Sequence, residues 1–366
     1  MTISTQSTRI RFIYPALPEI KLCYAIVFGS ICYGLYGVLL ASRNYTWSIG
    51  DHGIVNHLPF YGPAIKVGPI ELGMVELVPV CNFERQITER NTRQRDWRQN
   101  LFFALRIAFW WILLDVSLHF FYYEAIMKNI QYASTLPKDQ FFALGLTLGI
   151  FFHLKYVVIF GLPSVFARFD NMDPLKGPIC LNRVMLFSKV WREFDRGLYQ
   201  FFKTYIFVPI CQPTFSLPRK IFGVLVSYSF VLLWHGFYHH NIVWIILNII
   251  SLMLEMSAKS IYAIESFRIW REKTFSDVTF RRILAALHIL PFAFGLYSNI
   301  YFLGGSDVGA LFVKRFYEEE TVTLRWPLFL LLTLGYFYSE VCIEVDRRMD
   351  SQAISSKEKH DSKRQK

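Results

Sequence analysis

Long apolar runs alternate with short charged stretches along this chain. A helix needs about 20 predominantly apolar residues to cross a bilayer. Runs of that kind fall at Lys21–Ser42, Leu101–Met127, Phe141–Phe166, Ile221–His239, Val243–Met256, Ile283–Leu303 and Trp326–Val345. The fifth is short and is expected to extend to Tyr262. His57–Cys81 is apolar too, but its four prolines and three glycines rule out a plain span. It reads as a broken or re-entrant segment, tolerable only where protein buries its backbone. Val184–Ile210 mixes apolar residues with Lys189, Arg192, Asp195, Arg196 and Lys203, and reads as interfacial or re-entrant helix. The pattern predicts an all-α, polytopic membrane protein with re-entrant segments and about seven to nine membrane segments. Residues 1–57 form an N-terminal span and linker, 58–345 the core, and 346–366 a polar, charged tail expected to be disordered.

Composition supports this class: 53% of residues are hydrophobic and 17% aromatic, a profile of polytopic helical membrane proteins. The net charge of +11 would suggest nucleic acid in a soluble protein. Here the basic residues collect between the apolar runs, so the charge reads as orientation in the membrane, with no nucleic-acid partner. The tail carries Arg347, Arg348, Lys357, Lys359, Lys363, Arg364 and Lys366, and is expected to be cytosolic. The stretch holding Lys259, Arg268, Arg271, Lys273, Arg281 and Arg282 should lie on the same side, two spans away. That parity places the His239–Asn241 turn in the lumen. The opening, MTISTQSTRIRFIYPALPEI, lacks the layout of a cleavable signal peptide. The closing Lys-Arg-Gln-Lys loosely resembles a dibasic retrieval signal of the endoplasmic reticulum. The six cysteines contain no Cys-x-x-Cys pair, and a disulfide framework is not expected.

Two ionisable residues stand out. His235 sits in a Trp-His-Gly step near the end of an apolar run, and Asp195 in KVWREFDRGLYQFF. An ionisable side chain at membrane depth is costly and points to function. A neutral imidazole can take a proton from an attacking amine, hydroxyl or thiol and return it to the leaving group. Asp195 could orient a donor, hold a reacting group or shape a cofactor site. Arg192, Arg196 and Lys203, with Arg219 and Lys220, could hold phosphates of a cytosolic cofactor. These parts fit acyl transfer from coenzyme A. A structural His–Asp pair and a proton-coupled transporter fit them as well, although no duplicated half is visible. His239 and His240 read as solvated surface. Asp115 and His119, one helical turn apart, read as a structural pair. The arginine string Arg85, Arg90, Arg93, Arg95 and Arg98 reads as a solvated loop or headgroup-contacting helix.

WREFDRGLYQFFKTYIFVPI and FVLLWHGFYHHNIVWIILN resemble the membrane-bound O-acyltransferase (MBOAT) family, and within it the hedgehog-acyltransferase branch. The branch's Trp-Arg-x-Phe-Asp-x-Gly-Leu pattern is met by Trp191, Arg192, Phe194, Asp195, Gly197 and Leu198, and its Trp-His-Gly step by Trp234, His235 and Gly236. Asn248 and Glu255 follow the histidine at matching spacing. SNIYFLGGSDVG (298–309) and FYGPAIKVGPI (60–70) resemble further blocks, and the match runs from Leu58 to Val345. The resemblance implies a multipass protein of the endoplasmic reticulum membrane. It would move palmitate from palmitoyl-CoA to the N-terminal cysteine amine of a secreted, hedgehog-like signalling protein. By position His235 would be the catalytic base and Asp195 the second catalytic residue. Trp191 would gate acyl-CoA entry and Asn299 would line the reaction chamber; Arg192, Trp234 and Asn248 would complete the substrate site. Cys180 stands where the branch carries a haem b ligand.

Two departures bear on activity. Phe207 stands where the branch has a tyrosine. Between Asn44 and Leu58 the family has a block of further spans, where this chain has only YTWSIGDHGIVNH. Retention of His235 and Asp195 favours an active palmitoyltransferase, and the short linker favours a non-catalytic membrane regulator of the same pathway. An O-acyltransferase with another peptide or lipid acceptor is the third reading.

Overall fold

The computed structural model describes residues 12–49, 85–88, 96–181, 186–318 and 326–364. Within them every regular element is helical. The long helices are α1 (Ile20–Ile49), α2 (Trp97–Leu118) and, after the short helices α3 (Tyr123–Lys128) and α4 (Ile130–Thr135), α5 (Lys138–Phe169). Helices α6 (Phe187–Glu193) and α7 (Arg196–Phe201), a π-helical turn at Phe202–Phe207 and α8 (Val208–Cys211) follow in close order. Helices α9 (Leu217–His235) and α10 (His239–Ala263) come next. The chain then runs through α11 (Glu265–Thr274), α12 (Asp277–Leu287), α13 (Ile289–Val313) and α14 (Trp326–Arg364).

Five of the described helical stretches are long and apolar enough to cross a membrane: Ile20–Tyr45, Trp97–Leu118, Lys138–Phe169, His239–Ala263 and Asp277–Phe316. Helix α9 opens on Pro218, Arg219 and Lys220, which shortens its apolar part. Helix α14 turns polar from Glu340 onward. The protein is an all-α, polytopic membrane protein.

Several boundaries differ from the sequence expectation. The run Leu101–Met127 is not one span, because α2 stops at Leu118. The Tyr122 backbone N–H is bonded to the Ser42 hydroxyl of α1 at 2.9 Å, and that contact pins the break. The run Ile221–His239 ends instead at His235, where Gly236 takes a positive φ of 89°. Helix α10 begins earlier than expected and reaches Ala263. The tail, expected to be disordered, continues α14 as far as Arg364. Glu344 accepts from Arg347 and Arg348 at 2.7 and 2.9 Å, pairings of the i,i+3 and i,i+4 kind that stabilise a polar helix. The broken segment His57–Cys81 and the arginines at 90, 93 and 95 lie outside the described residues.

Two apolar clusters hold the bundle. In one, Val38 of α1 meets Phe141 and Leu144 of α5 and Ile300 and Phe312 of α13. In the other, Phe202, Val224, Tyr228 and Val231 pack with Trp244 and Ile245 of α10. Members of both clusters line one large cavity.

Candidate active site

His235 is the last residue of α9, and the turn after it is built around Gly236. At φ 89° and ψ 152° that position is open to glycine and strained for other residues. A Cβ there would also come within 2.9 Å of the Tyr238 ring. Buried Asn241 locks the turn, its side-chain N–H group donating to the His235 carbonyl at 2.8 Å and the Gly236 carbonyl at 3.0 Å. The imidazole stands edge-on to Trp244 and to Phe302, with centroids 5.3 Å away in each case. Trp244 and Phe302 stack on each other at 4.1 Å. The catalytic candidate therefore has an aromatic cradle from α10 and α13 and a backbone held by Asn241.

Asp195 caps the short helix α7, its carboxylate accepting from the Leu198 N–H at 2.8 Å. Burial raises its carboxyl pKa, against hydrogen bonds from the Leu198 and Gly197 N–H groups. Four residues earlier, Trp191 of α6 donates from its indole N–H to the Asn248 side-chain oxygen at 3.0 Å. Asn248 is buried, and its own N–H group donates to the Trp244 carbonyl at 2.7 Å. The Trp191 ring packs against Tyr228 and Trp244.

These residues share one cavity of about 1340 Å³. Its lining includes Trp191, Asp195, Trp234, His235, Asn248 and Asn299, brought together from α6, α9, α10, α13 and the α6–α7 junction. The rest of the wall is largely apolar, from α1, α5, α13 and α14. Among the described residues no hydrogen bond or ion pair joins Asp195 to His235. The two act on the chamber separately: an imidazole on one element, a carboxylate anchoring a helix start on another.

Arg192 does not line the chamber; it is exposed and lies 3.7 Å from Glu193. Arg196 pairs with the same glutamate at 3.5 Å. Asp115 of α2 and His119 just after it stand 4.0 Å apart and also lie outside the chamber wall. Cys180 is partly exposed and lines neither this cavity nor the small one behind Asp195. Among the described residues no group of three or more His, Cys, Asp or Glu side chains is placed to hold a metal ion. A haem iron can be held by a single cysteine thiolate, which needs no such group.

Sequence reasoning missed three contacts here: Asn241 on the His235 turn, Ser188 on Glu255, and Lys189 on Asp346. The first stood beside two histidines that read as surface, and the others join residues far apart in sequence.

The multipass bundle thus places a histidine, an aspartate and two asparagines on one large, mostly apolar chamber. The model of the membrane-bound O-acyltransferase family (MBOAT) matches residues 65–299, and the chain belongs to that family. It is 29% identical over 271 residues to the protein-cysteine N-palmitoyltransferase Rasp of Drosophila melanogaster, covering 73% of this chain and 52% of that one. It is 26% identical over 298 residues to the protein-cysteine N-palmitoyltransferase HHAT of Mus musculus, covering 81% and 56%. The membrane-bound O-acyltransferase GUP1 of Millerozyma farinosa matches at 24% identity, covering 81% of this chain and 55% of that one. The chain thus spans about half the length of the curated relatives it matches.

Proposed function

We propose that this chain carries the catalytic centre of a protein palmitoyltransferase of the endoplasmic reticulum membrane, its C-terminus in the cytosol. Palmitoyl-CoA is the donor, and the N-terminal cysteine amine of a secreted, hedgehog-like protein is the acceptor. The observation that carries this reading is the shared chamber: His235, Asp195, Trp191, Asn248 and Asn299 face one cavity with a mostly apolar wall. Two of the relatives are named as protein-cysteine N-palmitoyltransferases.

The chemistry follows from the parts. The acceptor amine attacks the thioester carbonyl of palmitoyl-CoA. The carbon–nitrogen bond forms and the carbon–sulfur bond breaks. Neutral His235 takes a proton from the attacking nitrogen and returns one to the departing coenzyme A sulfur. The Trp244 and Phe302 rings flank the imidazole, and the residue is otherwise exposed. Asp195 holds the start of α7 and fixes the chamber wall next to Trp191. The apolar wall accepts the acyl chain.

A second reading has its own support. GUP1 proteins, named as O-acyltransferases, match at similar identity, and the same base would serve a hydroxyl acceptor. The non-catalytic regulator is the third reading. One experiment separates them: labelled palmitoyl-CoA offered to the detergent-purified chain with three acceptors. These are a peptide starting with cysteine, the same peptide with its amine blocked, and a hydroxyl-bearing lipid. Label on the free-amine peptide alone supports N-palmitoylation. Label on the lipid alone moves the assignment to O-acyl transfer. No label from a folded sample supports the regulator.

A further inference from the structure

Helix α6 carries Trp191 and leads directly into Asp195, yet it is only seven residues long and lacks a side-chain cap of its own. A helix of that length has little intrinsic stability. Its placement must come from elsewhere, and the structure shows where. The Ser188 backbone N–H, one of the orphan donors of the first turn, is bonded to the Glu255 carboxylate of α10 at 3.0 Å. The Ser188 hydroxyl donates to the other Glu255 oxygen. Lys259, one helical turn further along α10, pairs with that same oxygen. The next residue of α6, Lys189, reaches Asp346 of α14 at 2.5 Å, with both side chains mostly buried. Trp191 then bonds to Asn248, seven residues before Glu255 on α10. Asn248, Glu255 and Lys259 lie on one stripe of α10, at i, i+7 and i+11. Ser188 and Trp191 lie on one stripe of α6 and meet that rail in antiparallel order.

We infer that Glu255 and Asp346 are positioning residues for the transfer reaction, clamping α6 so that Trp191 and Asp195 hold fixed places opposite His235. The clamp uses two elements that contribute no acid or base of their own. Glu255 supplies in trans the cap that α6 lacks, and Asp346 stops the helix from pivoting about that cap. This inference rests on the proposed acyltransfer for its kinetic consequence but not for its structural one.

The test therefore reads both, on the full chain in detergent. Backbone amide exchange over residues 187–193 is followed in wild type and Glu255→Ala, and in Lys189→Glu, Asp346→Lys and their double variant. Loss of a charged hydrogen-bond partner should speed exchange there roughly tenfold or more, leaving residues 97–118 unchanged. Glu255→Gln keeps an acceptor for the Ser188 N–H and should preserve most of the protection. The Lys189→Glu/Asp346→Lys pair should restore what each single reversal loses. In the transfer assay kcat should fall in step with lost protection, and both should recover in the swap. Unchanged exchange over 187–193 in a folded Glu255→Ala protein, or a swap that restores nothing, overturns the clamp. If Glu255→Ala loses protection throughout, the Lys189 and Asp346 variants decide. Absent transfer by wild type defeats the acyltransfer reading, while the exchange data still decide the clamp.

Discussion

Gly236 and Asn241 fix the backbone at His235, the proposed base. A positive φ at Gly236 turns the chain away immediately after His235, and Asn241 ties down both carbonyls of that step. Backbone forced into a sparsely populated region costs on the order of 1–3 kcal/mol. Gly236→Ala should therefore lose about that much stability and displace the imidazole, lowering kcat more than it lowers the melting temperature suggests. A thermal melt beside a transfer assay checks this, and an Ala variant with wild-type turnover contradicts it. At this scale much was legible. His235 and Asp195 were visible because ionisable groups are costly inside apolar sequence and Asn248 through its motif spacing, and the structure places all three on one chamber. Asn241 was not. In the string His-His-Asn it looks like one more polar residue of a turn, and its meaning lies in a backbone shape that no residue type announces.

Between elements, charge does unexpected work. Arg281 read as a cytosolic loop cation, yet it is fully buried. Its guanidinium donates to Glu340 at 2.9 Å, to Glu344 at 3.0 Å and to the Pro15 carbonyl at 2.5 Å. One side chain of α12 thus ties α14 to the segment before α1, and Arg282 adds a pair with Glu19 at 2.6 Å. Arg271 is another such case, buried between the Phe12 and Phe280 rings and paired with Asp277. The sequence could not show this, because solvated and buried cations have the same composition; only partners from distant elements tell them apart. Breaking a buried pair from one side leaves an uncompensated charge and costs about 3–5 kcal/mol. Arg281→Met should lower thermal stability by that order. Arg281→Met combined with Glu340→Leu should recover part of the loss. A single variant that melts like wild type would show the network contributes nothing. The span from 101 to 127 failed as a prediction for a related reason: hydropathy records apolarity, not the Ser42 contact to Tyr122 in the break after α2.

For the whole molecule, alternating apolar runs predicted an all-helical membrane bundle, and the helices of the described residues form one. The motif spacing predicted the family, and residues 65–299 match it. Span boundaries were less legible, since kinks and short helices cost little in apolar sequence. What emerges at this scale is a chamber of about 1340 Å³ whose chemistry is concentrated at a few polar side chains in a largely apolar wall. In the proposed reaction His235 performs the proton transfer. The most direct measurement is the single-turnover rate of palmitoyl transfer to a cysteine-initiated peptide by wild type and His235→Ala, both shown to be folded by thermal melting. General-base assistance is worth about 10²–10⁴-fold, so the variant should lose at least the lower end of that range with its melting temperature nearly unchanged. Equal rates in the two proteins would contradict the account and place the base elsewhere.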